Sequence, residues 1–150
     1  IESLVLERWR KNRCMTRFYH RRGEAREASA FAAEWLAELK DSGLTREPEL
    51  IEAAEEIAPC YLDAGLIGAA EDLARMGVQL AGDRLRRVGY VEAVKCSAGS
   101  LPCRIVLAKI AIGRGCQQEA AEELAHARVL VRTSSDESAV RELTAVLLDK

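Results

Sequence analysis

Three glycines, each followed five residues later by an alanine, constrain this chain more than any other feature: Gly23 with Ala28, Gly65 with Ala70, and Gly115 with Ala120. The segment before each glycine also recurs. An apolar residue stands eight positions before it (Met15, Ile57, Leu107) and a small one seven before it (Thr16, Ala58, Ala108). An aromatic stands four before the glycine in two copies, Tyr19 and Tyr61, and Ala111 takes that place in the third. Glycine reverses a chain between antiparallel helices at little steric cost because it carries no Cβ. The small residues mark where the two helices come closest, and the tyrosines fill the space between one pair and the next. A helix–turn–helix unit used three times is the expectation.

The rest of the chain reads as helix around these turns. From Ile1 to about His20, the residues Leu4, Val5, Trp9, Met15 and Phe18 recur at roughly helical spacing, with basic residues between them. Ala28, Phe31, Ala32, Trp35 and Leu39 form a clean apolar stripe on a second helix over 24–40, which Asp41-Ser42-Gly43 ends. A third helix starts near Pro48, capped by Thr45 or Glu47, and runs to about Asp63; Pro59 predicts a bend or an early break in it. A fourth spans 67–80 and stops at Gly82-Asp83, a fifth covers 84–97, and a sixth covers 103–112 after a loop at 97–102. A seventh spans 117–131, and Ser134 with Glu137 forms a capping box for the eighth, which ends near Leu148. The expected fold is all-α, a single domain of about eight helices in antiparallel pairs, stacked as a short solenoid or closed as a compact bundle. Strands are expected nowhere. The first residue is Ile1, and a fragment of a longer polypeptide is the expectation.

The relative offsets of the apolar, small, aromatic, Gly and Ala positions resemble the tetratricopeptide repeat. Copies lie 42 and 50 residues apart, against about 34 in that repeat. The repeat's proline after the second helix is absent, and helix 84–97 intervenes between the second and third units. The resemblance implies an α-solenoid whose first helices line a concave groove that receives a peptide or helix from a partner protein. Pentatricopeptide repeats, which bind RNA, share the Gly-then-Ala signature. The positions that resemble their base-reading sites hold Arg13, Glu55 and Ile105, and Glu55 repels phosphate, so base-specific reading is not expected.

Composition agrees with close helix packing. Alanines number 24 in 150 residues while aromatics make up 5%, and alanine both favours helix and lets backbones approach. The net charge of -2 conceals segregation: residues 1–26 carry eight basic and three acidic side chains, 34–72 carry two and eleven, and 73–116 carry eight and two. Cys14, Cys60, Cys96, Cys103 and Cys116 include no CxxC pair, which argues against a zinc knuckle or a redox motif. They read as reduced thiols of an intracellular protein, cytoplasmic or organellar. No apolar run is long enough to span a bilayer.

Catalytic patterns are absent. Cys14 and His20 do not share a helical face, no Glu-x-x-His marks a diiron site, and Gly113-x-Gly115 lacks the strand and the Lys-Ser/Thr of a phosphate loop. Glu52, Glu55 and Glu56 share one helical side and read as a solvated acidic face. No cofactor or metal is expected, and the chain reads as a non-enzymatic scaffold, adaptor or chaperone-like domain. The candidate partner-binding residues are Arg10, Arg13, Arg17 and Tyr19 of the first helix, Tyr61 of the third and Arg104 of the sixth. The alternative is an RNA-associated protein that grips phosphates through the basic helix 8–22, where arginines alternate with Trp9, Phe18 and Tyr19.

Overall fold

A computed structural model describes residues 2–41, 47–87 and 100–149. Within them the chain forms seven α-helices and no strand: α1 (Glu2–Arg21), α2 (Ala25–Asp41), α3 (Glu47–Asp63), α4 (Ile67–Arg87), α5 (Leu101–Gly113), α6 (Gln117–Val129) and α7 (Ser134–Leu148). α1 pairs with α2, α3 with α4, and α5 with α6, while α7 packs on α6 and α5. Each hairpin packs on the next, but among the described residues no helix of the first hairpin packs on the third.

The three glycine turns share one geometry. Gly23, Gly65 and Gly115 all take the left-handed backbone, with φ of 77°, 83° and 76°. In each, the amide three residues past the helix returns to the carbonyl five residues back: Glu24 to Tyr19 (2.9 Å), Leu66 to Tyr61 (2.8 Å) and Cys116 to Ala111 (2.9 Å). The glycine amide donates to the carbonyl three residues back, of His20, Leu62 or Ile112. This double closure satisfies carbonyls that a helix end otherwise leaves open. The fifth residue after each glycine, Ala28, Ala70 or Ala120, is fully buried, as are Ala58 and Ala108, with Thr16 at 1% exposure. Thr16 keeps its hydroxyl satisfied there by donating to the Asn12 carbonyl at 2.7 Å.

Four local expectations need correction. α4 passes through Gly82-Asp83 to Arg87, and Gly82 is buried, so packing outweighs the weak helix preference of glycine. Residues 84–87 therefore belong to α4; the rest of the expected helix 84–97, and the proposed cap at Thr45, lie outside the described residues. α3 continues through Pro59 to Asp63 without a break. α5 begins at Leu101 rather than Cys103, with Ser100 as its cap and Pro102 in its first turn. Thr133, not Ser134, caps α7, accepting from the Asp136 amide at 3.1 Å, and Glu137 pairs instead with Arg141.

One apolar core joins α1 to α5 through residues such as Trp9, Trp35, Ile57, Leu73 and Val106. A second grouping ties α5, α6 and α7 through Ala108, Leu124, Ala127 and Val140. Two thiols belong to this interior. Burial pushes Cys60 and Cys103 up to about 12, whereas Cys14 and Cys116 are exposed. Since thiolate is the reactive form, iodoacetamide at pH 8 is expected to modify Cys14 and Cys116 in the native protein and to spare Cys60 and Cys103 until denaturant is added. Peptide mapping by mass spectrometry checks this; rapid native labelling of Cys103 contradicts the packing described.

Candidate concave groove

The first helices of the hairpins lie side by side, and an open groove of about 590 Å³ runs between α3, α5 and the start of α7, with His20 of α1 at one edge. Its apolar surface comes from Pro59 and Leu62 of α3, Leu101, Ile105 and Val106 of α5, and Leu130 from the α6–α7 connection. On α3 and α5 the small positions, Ala58 and Ala108, are fully buried. Pro59 and Lys109, one residue and about 100° further round each helix, line the groove. A smaller cavity of about 270 Å³ between α1 and α3 shares His20, Glu55 and Pro59 with it.

Charges on the walls are distributed in a definite way. Arg13 donates to Glu52 at 3.0 Å, and Arg17 reaches both Glu56 (2.8 Å from Nε) and Glu52 (3.2 Å). The hydrogen bond to Glu56, reinforced by the charges of Glu56 and Glu52, raises the Arg17 pKa against the lowering effect of burial. His20 and Asp63 close the same seam at 2.8 Å. The basic face of α1 and the acidic face of α3 thus bind each other, and Glu52 and Glu56 are not merely solvated. Elsewhere Arg114 and Arg75 both contact Glu71, and Arg75 reaches Glu119 at 3.1 Å, which links the second hairpin to the third.

Glu55 behaves differently from its neighbours. Burial raises its pKa, the Ser100 hydroxyl partly offsets this by hydrogen bonding, and the charges of Glu52 and Glu56 raise it further. A carboxyl raised in the folded state stabilises the fold fully below its unfolded value of about 4.5 and loses that contribution as pH climbs through the folded value. Glu55→Gln is therefore expected to stabilise the protein at pH 7, with an advantage that shrinks below about pH 4.5. Urea midpoints measured across pH 3.5–8 check the sign; a variant equally stable at every pH contradicts it.

The candidate residues read from sequence fall into separate environments. Arg13 and Arg17 are held by α3, and Arg104 pairs with Glu123 at 2.9 Å with both side chains 13% exposed. Tyr61 is in the core, and Tyr19 stacks in parallel on Phe31 with ring centroids 5.5 Å apart. Arg10 remains exposed. None of these six lines the larger groove, whose ionisable groups are His20, Glu55, Asp63, Lys109, Arg132 and Asp136. A sequence signal for Ile105 and Lys109 did exist: in a unit aligned on its glycine they share a face with Glu55 and Pro59, opposite the helix contact. Among the described residues no group of three or more His, Cys, Asp or Glu side chains is arranged to hold a metal ion, and no helix is long and apolar enough to cross a membrane. No family model, curated protein or solved structure matches this chain.

Proposed function

We propose that the chain is a non-enzymatic interaction module, a tetratricopeptide-like stack of helical hairpins whose groove between α3, α5 and α7 holds a peptide or helix of a partner protein. The observation that carries this reading is the groove itself: open, mostly apolar, and formed by the first helices of successive hairpins. Exposed apolar concavities of this kind on small proteins mark sites of recognition. The shared turn geometry and the buried small residue on each first helix support the tetratricopeptide-like assignment, because they follow the offsets on which the resemblance rests. The RNA reading loses support where the basic helix was to act, since Arg13 and Arg17 are committed to Glu52 and Glu56.

Site-specific photocrosslinking tests the proposal. Benzoylphenylalanine placed at Ile105 or Leu62 is expected to capture a protein in cells, with adducts that survive nuclease treatment. The same group at exposed Ala121 on α6 is expected to capture far less. Equal capture from both faces, or adducts that are RNA and route through Arg10, Lys11 and Arg21, overturns it.

A further inference from the structure

The groove's charges are not evenly available to a ligand. Asp63 is matched by His20 at 2.8 Å. Asp136 accepts from the Arg132 backbone amide at 3.5 Å, within the cap of α7. Glu55 is half-buried and shares a hydrogen bond with Ser100. The two remaining ionisable groups are cations: the side chains of Lys109 and Arg132 are exposed and form no ion pair among the described residues. They stand on two different walls, α5 and the α6–α7 connection, beside an apolar floor.

Resting on the reading of the groove as a peptide site, we propose that its occupant is an apolar segment of a partner protein bearing aspartate or glutamate side chains that pair with Lys109 and Arg132. A neutral apolar segment fills the floor but leaves both cations facing a partially desolvated interface. A basic segment adds like-charge repulsion with Lys109 and Arg132, while Asp63 already hydrogen-bonds His20 and Glu55 is half-buried against Ser100. Acidic side chains flanking leucine, isoleucine or valine satisfy both the floor and the walls. Arginine on one wall and lysine on the other also favour an extended or single-helix ligand that reaches both over a bulky folded surface.

The test is selection of a phage-displayed random twelve-residue library on the whole chain, followed by affinity measurement of the enriched peptides. Enriched sequences are expected to combine aliphatic residues with Asp or Glu. Asn or Gln replacement of those acids is expected to weaken binding about tenfold. On the Lys109→Met/Arg132→Met variant the same replacement should matter little, and Lys109→Glu/Arg132→Glu should select Lys and Arg instead. Circular dichroism confirms that both variants remain folded. Enrichment of aliphatic sequences with no acidic bias overturns this inference while leaving the groove as a peptide site. Acidic peptides that bind the methionine variant unchanged also overturn it, since the acids are then read elsewhere. Selection of no peptide removes the underlying reading as well.

Discussion

Replacing Trp35 with alanine is expected to cost about 3–5 kcal/mol, the range for truncating a buried aromatic, and to leave the chain largely unfolded at physiological temperature. Trp35 is 1% exposed and belongs to the core shared by α1 through α5. The indole is not merely one hydrophobe among many. The core it belongs to is rich in alanines, at 32, 53, 54, 58, 70 and 74, which have no rotamers with which to help close a cavity. The spread of measured truncation costs depends on how far a site can collapse, and a core rich in alanine has fewer side chains that can shift to fill a void. Trp35→Phe provides the contrast. Among the described residues the buried indole nitrogen has no hydrogen-bond partner, so phenylalanine removes an unsatisfied donor along with some volume, and the loss should be well under half that of alanine. Thermal and urea unfolding of the two variants check this; equal destabilisation by Phe and Ala contradicts it.

Gly77→Val is the second change with a large expected effect, about 2–3 kcal/mol of destabilisation from overpacking. A Cβ at Gly77 lies 2.7 Å from Cys103 Sγ and 2.9 Å from Ala54 Cβ. Neither neighbour can give way cheaply: Cys103 is fully buried, and the Ala54 methyl is fixed to its backbone. α4 therefore has to move away from both α3 and α5. Even Gly77→Ala should destabilise, by about 1 kcal/mol, although alanine is about 1 kcal/mol better than glycine in a helix interior. Gly68 on the same helix is the control, because nothing lies within 4 Å of a Cβ built there. Gly68→Ala is expected to be neutral or stabilising by about 0.5 kcal/mol. Denaturant melts of the three variants check the order, and a stabilising Gly77→Ala contradicts the close helix approach.

What could be read from sequence was local. Gly23, Gly65 and Gly115 reported their turns because the left-handed backbone strongly favours glycine, and the alanine five residues on reported a helix contact one turn later. The same residue type misled at Gly82. In isolation a Gly-Asp pair reads as punctuation, and the burial of Gly82 inside a continuing helix depends on tertiary packing that the pair itself does not display. At Pro59 only the alternative of an early break fails: α3 runs on to Asp63, as its periodicity implies, and Pro59 lines the groove. Charge segregation between α1 and α3 was visible, but which arginine meets which glutamate depends on how hairpins stack, and that is set by side chains far apart in sequence. The groove was harder still. Leu130 and Arg132 follow a helix end that no periodicity singles out, and they meet Ile105 and Lys109 only because the third hairpin folds back on itself.

The identical turns also set how this chain reaches its structure. Each closes its hairpin between segments adjacent in sequence, and among the described residues the hairpins then touch only their immediate neighbours. Little loop-closure entropy opposes the first contacts, so folding of this architecture is fast for its length. Nucleation can occur at any hairpin and spread along the stack, with stability near the sum of unit and interface terms. Damage outside the core that α1 to α5 share therefore falls first on the unit where it is made. A lesion in α6 or α7, which among the described residues contribute nothing to that shared core, loosens the groove while α1 and α2 hold, so binding can fail in a molecule whose first half remains folded.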